Sequence, residues 1–350
     1  MKILYNTESL EKAEGGISAA SRLFLKYLNS KKNNQNLLIN LNCLRSYEDN
    51  HPFNKNLKFA QNSKFKFFMN NLRGLMKNNL IIYDHIDLAK AHLSFFNKNY
   101  LIFGYGVDMW EMSKKKVKIA ENSKKIILCS HFTESKMKTN LNQNFKNTEV
   151  CWLSSYDDEY KKRIFRDDNK EINILILGRI DDDRKGHFLI LDIWNDLKRK
   201  YKNIKLTIVG RSIIKDKIIK TIKDYQIQDS VSYLGYVKEN DLKNIWNKTD
   251  IFFMPGTVEG FGFVYIEAMK NSVPIIASTH DSGNEINENE VSGFNIDQFD
   301  NKQLIQSLSI LIENKELRMK FSENALNRFK KNFKYSDYER RMDNIFLNFI

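Results

Sequence analysis

Two carboxylates and two cations in this chain are spaced for chemistry on a phosphorylated, hydroxyl-rich molecule. Glu259 and Glu267 bracket the start of EGFGFVYIEAMKNSVPIIAS, and Arg179 and Lys185 bracket RIDDDRK. Asp250–Pro255 reads as a strand and Gly256-Thr257-Val258 as a short loop, so a helix is expected to begin near Gly260–Gly262. A helix start offers unpaired N–H groups and a partial positive charge, and small residues let a ligand approach the backbone of Phe261, Gly262 and Phe263. The natural guest is a phosphate or diphosphate.

A carboxylate just ahead of that helix is repelled by the phosphate itself and suits the hydroxyls next to it. Glu267 lies about two turns further on, where it can reach a second set of hydroxyls. Sugar hydroxyls on one side and ribose hydroxyls on the other describe a nucleotide-sugar. Acidic residues at this spacing on a helix are usually solvated surface. The setting argues otherwise: strand, loop, Glu-Gly-Phe-Gly, helix, then a second buried strand.

Arg179 follows a strand end and Lys185 precedes a helix. Held there, the two cations can bind a diphosphate and stabilise negative charge as the sugar leaves. Asp181-Asp182-Asp183 sits between them and reads as surface loop rather than a metal-binding triplet, because the two cations can neutralise the diphosphate without a metal. The base is expected at the end of VSYLGYV, against the backbone near Tyr236 and Val237.

These residues need a frame. MKILYNT reads as a strand, Gly15-Gly16 as a turn and ISAASRLFLKYL as a helix with apolar residues at helical spacing. Short apolar runs recur in NLLINL, NLIIYD, NYLIFG, KKIILCS and TEVCWL, with stretches long enough for helices between several of them. DDEYKKRIFRDDNKE (Asp157–Glu171) has no apolar period and reads as a linker. The alternation then restarts with INILILG, IKLTIVG, VSYLG, DIFFMP and VPIIAS, and two helical segments, Asn301–Phe333 and Tyr335–Phe349, close the chain. Continuous apolar runs suit strands covered on both faces. The expectation is an α/β chain of two Rossmann-like, doubly wound domains, residues 1–165 and 166–334, facing a central cleft, with the final helix 335–350 returning to the first.

Bulk composition is compatible with this: 42% hydrophobic and 28% charged residues are ordinary for a globular protein. No apolar run approaches the ~18 residues of a membrane span, and the start reads as a strand rather than a signal peptide. Cys43, Cys129 and Cys151 form neither a disulfide framework nor a metal spacing, which fits a reducing cytoplasm. The six histidines are scattered, without an HExxH pair, so no metal site is expected. Of the net charge of +13, residues 1–165 hold nearly all, with 27 Lys and Arg against 15 Asp and Glu. That half is expected to face an anionic partner.

EGFGFVYIEAMKNSVPIIAS resembles the segment with paired glutamates in retaining glycosyltransferases of the GT-B fold, family 4. ILILGRIDDDRKGHFLILDIW, IKLTIVGRS and VSYLGYVKENDLKNIWNKTDIFFMPGTVEGFG agree in order and spacing. The resemblance is strong over 172–294 and moderate before that, through the Gly15-Gly16 loop and KKIILCSHFTESKM. It implies a UDP- or GDP-sugar donor and a glycan or lipid-linked glycan acceptor, as in lipopolysaccharide, capsule or O-antigen assembly. It also implies Arg179 and Lys185 on the diphosphate, and retention of configuration without a metal cofactor. Where family members often carry a histidine in a segment like FxHGxExW, this chain has IFGYGVDMW, with Tyr105 in that place. Tyrosine, with a pKa near ~10, is a poor base. In the resembled enzymes the leaving diphosphate is generally held to take the acceptor's proton. Nearby, Asp84 or His85 could face the cleft, or Asp84 could cap the next helix.

KFKFFMNNLRGLMKNNL places Phe65, Phe68, Leu72, Leu75 and Met76 on one helical face, with Lys64, Lys66, Arg73 and Lys77 around the rest. Such a helix over 64–80 either lies on an anionic membrane surface or serves the core. The expected location is cytoplasmic, peripheral on the inner face of a membrane. Competing readings are an epimerase of the same fold, a catalytically inactive scaffold, and a nucleic-acid binder. The last lacks aromatic-basic RNA motifs, a helix-turn-helix signature and zinc knuckles, so no nucleic-acid partner is expected.

Overall fold

The apolar runs become strands of two parallel sheets. The computed structural model describes residues 1–11, 14–32, 36–45, 57–93, 95, 99–163 and 171–349. The chain divides into two compact units, Met1–Tyr156 with Tyr335–Ile350, and Asp157–Lys334.

In the first unit β1 (Lys2–Thr7), β2 (Leu38–Cys43), β3 (Leu57–Phe59), β4 (Leu80–Tyr83), β5 (Tyr100–Gly104), β6 (Lys125–Leu128) and β7 (Thr148–Val150) lie in the order β3-β2-β1-β4-β5-β6-β7. In the second, β8 (Ile172–Leu177), β9 (Ile204–Val209), β10 (Val231–Gly235), β11 (Ile251–Met254), β12 (Ile275–Ser278) and β13 (Gly293–Ile296) lie in the order β10-β9-β8-β11-β12-β13. Strand order reverses direction once in each sheet, between β1 and β4 and between β8 and β11. Doubly wound sheets bind ligands beyond the strand carboxyl ends at such a point.

Two strands escaped the sequence reading. β3 has three residues, none fully buried. β13 is GFNI, with no continuous apolar run, and its Gly293 lies so close to β12 that a Cβ would sit 1.9 Å from the Ile275 carbonyl oxygen.

The closing helical stretch also differs from expectation. It breaks into Asn301–Glu313 and Lys315–Asn332, because Asn314 ends the first and caps the second, its side chain accepting from the Leu317 N–H at 2.8 Å. The expected linker is partly bound: Lys161 donates its N–H to the Lys270 carbonyl at 2.8 Å, and the Ser272 hydroxyl donates to the Lys161 carbonyl at 2.7 Å. Residues 164–170 of that stretch lie outside the described residues.

The helix Lys64–Leu75 turns a different face inward than its apolar pattern suggests. Phe67, Asn71, Gly74 and Leu75 are buried, while Phe65 and Met76 are 73% and 60% exposed. Asn71 is the cause. Its carbonyl accepts from the Tyr83 hydroxyl at 3.1 Å and its amide donates to the Ala91 carbonyl at 2.8 Å, so a polar side chain is fully satisfied in the core. That anchoring leaves Phe65 and Met76 outside, beside the exposed Lys64, Lys66, Arg73 and Lys77.

Candidate functional site

The loops after β8 and β11 meet at the reversal point of the second sheet. Gly186 adopts φ +83°, and a Cβ there would lie 3.0 Å from the Pro255 carbonyl oxygen, so only glycine lets the two loops close up. The Thr257 N–H donates to the Arg184 carbonyl at 2.9 Å and ties them together. The outcome is an ion pair between the Lys185 ammonium and the Glu259 carboxylate, both side chains largely buried. Lys185 also lies along Gly178, where a Cβ would meet its ammonium nitrogen at 3.7 Å.

The helix Phe263–Lys270 begins just past Glu259, with Gly262 at φ +80° as its cap and no side chain covering the first N–H groups. Glu267, on that helix, is half-buried; its backbone carbonyl accepts from the Asn271 N–H at 3.2 Å and the Asn271 side-chain amide at 2.9 Å. Burial pushes its pKa up to about 7; nearby Lys270 opposes the shift and Glu239 adds to it. Glu259 and Glu267 therefore serve different neighbourhoods, one paired with Lys185 and the other within the fields of Lys270 and Glu239.

Arg179 takes a separate place. Its guanidinium pairs with Asp181 at 2.5 Å and lines a cleft of about 820 Å³ with Arg211, Lys215, Tyr233, Leu234 and Tyr236. Lys185 and Glu259 are not among the residues of that cleft. The Arg211 guanidinium lies 4.5 Å above the Tyr236 ring, and the Tyr233 hydroxyl fixes the loop by donating to the Gly210 carbonyl at 3.1 Å. A flat cation over a flat ring walls a slot suited to an aromatic base. Val237, half-buried, follows directly. The aspartate run is partly spent on neighbours: Asp181 holds Arg179, and Asp182 accepts from Arg184 at 2.7 Å.

Asp281, which the sequence reading did not single out, belongs to the Lys185–Glu259 cluster. It is fully buried, one oxygen accepts from the Gly283 N–H at 2.8 Å, and the other has no hydrogen-bond partner among the described residues. Burial, reinforced by the Glu259 charge, drives its pKa well above the usual carboxylate range, with Lys185 opposing. In the sequence it stands in a loop after VPIIAS, where an aspartate signals nothing by itself.

In the first unit Gly15, at φ +88°, turns the chain into the helix Gly16–Lys32. Asp84 does not cap the following helix; His85 does, its Nδ1 accepting from the Asp87 N–H at 3.1 Å. Asp84 is instead buried between the end of β1 and the helix Gly16–Lys32, one oxygen accepting from the Thr7 hydroxyl at 2.5 Å, the Ser21 hydroxyl at 2.7 Å and the Glu8 N–H at 3.1 Å. Tyr105 stacks on Phe103 with ring planes 7° apart, and its N–H donates to Asp108 at 3.1 Å. Burial pushes its phenol well above the ordinary value, with Tyr5 and Asp84 adding to the shift. The thiols of Cys43 and Cys151 are pushed by burial up to about 12, which removes them as nucleophiles.

Residues 157–328 match the family described as Glycosyl transferases group 1. An uncharacterized glycosyltransferase of Haemophilus influenzae is 27% identical over 190 residues, covering 54% of this chain and 52% of the relative. The N-acetylgalactosamine-N,N'-diacetylbacillosaminyl-diphospho-undecaprenol 4-alpha-N-acetylgalactosaminyltransferase of Campylobacter jejuni is 28% identical over 162 residues, covering 46% and 43%. The chain spans about half the length of the curated relatives it matches. Among solved structures, Anabaena HepE in complex with UDP and glucose has a TM-score of 0.78 at 16% identity, covering 99% of this chain and 100% of that one. The apo form of the lipopolysaccharide outer core galactosyltransferase WaaB has a TM-score of 0.75 at 16% identity, with both chains covered in full. These likenesses show the fold, that of the GT-B glycosyltransferases.

Proposed function

We propose that this chain, whose residues 157–328 match the glycosyl transferases group 1, moves a sugar from a UDP- or GDP-sugar to a glycan or lipid-linked glycan. Surface-polysaccharide assembly is the setting. The observation that carries this reading is the Lys185–Glu259 pair at the reversal point of the sheet, beside an uncapped helix start. A diphosphate arriving there takes the Lys185 ammonium and N–H groups of the helix start, and releases Glu259 to accept from sugar hydroxyls.

The base lies between the strand ends of β9 and β10, against Arg211 and Tyr236, with Arg179 on the phosphate side of that slot. Glu267 accepts from the ribose. When the bond from the anomeric carbon to the diphosphate oxygen breaks, the acceptor hydroxyl oxygen bonds to that carbon on the same face. Its proton passes to the departing diphosphate. Retention follows, no protein base is needed, and Lys185 supplies the positive charge that a metal would otherwise bring. Tyr105, with its raised phenol, serves as a hydrogen-bond donor to a sugar.

The names of the relatives support the acceptor class: one acts on a diphospho-undecaprenol glycan and another structure is a lipopolysaccharide galactosyltransferase. Among the described residues no helix is long and apolar enough to cross a membrane. The exposed Phe65 and Met76, ringed by Lys64, Lys66, Arg73 and Lys77, suit a cytoplasmic enzyme resting on an anionic membrane surface. The test is release of UDP or GDP from a panel of nucleotide-sugars in the presence of membrane extract. Turnover of one donor supports the reading, and none with any donor counts against it.

A further inference from the structure

Polar side chains at the strand carboxyl ends of the second sheet do not stop at Glu259. The β12 loop carries His280 and the β13 loop carries Asp297 and Phe299. His280 Nε2 and Asp297 Oδ1 are 2.8 Å apart, and the same carboxylate oxygen accepts the Phe299 N–H at 2.9 Å. One side chain therefore fixes both an imidazole and the backbone that presents a phenyl ring. The two rings stand 5.2 Å apart at 61°. Phe299 is nevertheless 73% exposed.

A single exposed aromatic is unremarkable on a protein surface. This one is held by a dedicated carboxylate, beside a histidine, next to the loop that contains Asp281. With Nε2–H donated to Asp297, the His280 Nδ1 lone pair remains for a hydroxyl proton. A flat apolar face flanked by an imidazole acceptor and a carboxylate fits a pyranose, which has one apolar C–H face and a hydroxylated rim.

We propose that Phe299, His280 and Asp297 form a subsite for a pyranose ring of the acceptor glycan. The proposal rests on the transferase reading above and extends it along the sheet. If the diphosphate lies over β8 and β11, the gap between β12 and β13 is reached about two strand spacings further, on the order of 10 Å. The donor sugar covers the nearer part of that distance. The ring over Phe299 is then the next one, which the acceptor supplies.

The experiment measures saturation transfer by NMR to methyl α-glucoside, methyl α-galactoside and methyl N-acetyl-α-galactosaminide, with UDP and GDP present. The same variants are titrated calorimetrically with UDP, GDP, UDP-glucose and UDP-N-acetylgalactosamine. The expected result is transfer to at least one glycoside, reduced fivefold or more in Phe299→Ala and His280→Ala and kept in Phe299→Trp. The ratio of nucleotide-sugar to nucleotide affinity stays constant across these variants. Glycoside binding unaffected by Phe299→Ala, or no glycoside bound by the parent protein, overturns the subsite. A loss that falls on that affinity ratio instead overturns the acceptor assignment and gives the ring to the donor. Absence of any nucleotide binding sinks the transferase reading, while the glycoside comparison still decides the subsite.

Discussion

Lys185 and Glu259, 74 residues apart in the chain, form an ion pair at the carboxyl ends of two adjacent parallel strands. Each is the other's counter-ion until an anion competes for the lysine. Loss of either side chain leaves a partly buried charge without its partner, so both substitutions affect the empty protein as well as the liganded one.

Lys185→Ala and Glu259→Ala are each expected to lower turnover about 10²- to 10³-fold, the usual effect of removing a group aimed at developing charge. Steady-state kinetics with the accepted donor, beside circular dichroism to confirm the fold, reads this directly. Turnover unchanged in both variants removes the site.

Glu267 makes the site sensitive to pH. Its folded pKa of about 7 lies above its ordinary value of 4.5, chiefly through burial. Between those values the folded state holds a proton that the unfolded state has lost, so stability from this group falls as pH rises through the window. Glu267→Gln is expected to raise Tm at pH 8 relative to the parent and to change it little at pH 4. The same variant should weaken nucleotide-sugar binding at pH 8, where the ionised carboxylate is the better acceptor. A Tm difference independent of pH contradicts the assignment.

Tyr105→Phe is expected to keep turnover within about tenfold of the parent, the cost of one neutral hydrogen bond or less. Burial already holds this phenol far from ionisation at neutral pH. A drop of about 10³-fold would make it a proton-transfer group after all, and would move the proton off the leaving diphosphate.

Much of the frame was legible in the sequence because continuous apolar runs mark strands covered on both faces. Eleven of the strands were expected from such runs, whereas β3 and β13 have too few apolar residues to announce themselves. The helix Phe263–Lys270, capped by Gly262, was legible from the strand and short loop before it and from the glycines at 260 and 262. The site was legible only in part. Spacing put Arg179 and Lys185 in one loop, but spacing cannot say that Asp181 would draw Arg179 toward the Tyr236 cleft while Glu259 claimed Lys185. Asp281 and His280 were invisible for a similar reason, since their role comes from what the neighbouring strand ends bring to them. On Lys64–Leu75, Asn71 set the buried face against the apolar pattern, which no periodicity count anticipates.

Arg211→Ala and Tyr236→Ala are expected to weaken nucleotide binding two- to fivefold each, about 0.5–1 kcal/mol for an exposed cation–ring wall. Calorimetry with free UDP and GDP separates this from any sugar effect. Equal affinity in parent and variants would place the base elsewhere.

The exposed face of Lys64–Leu75 predicts binding to vesicles containing anionic lipid that weakens as salt is raised past the screening length. Replacing Lys64, Lys66 and Lys77 by Glu should abolish it without affecting donor turnover in detergent. Equal binding to neutral vesicles contradicts an electrostatic contact.

The most direct test of the account is calorimetric titration of the intact chain and of its Lys185→Ala variant with UDP and GDP at neutral pH. The account predicts that one of the two nucleotides binds the parent and that the variant loses at least tenfold in affinity for it. Binding of neither nucleotide to the parent, or equal affinity in the two proteins, contradicts a diphosphate site at the Lys185–Glu259 pair.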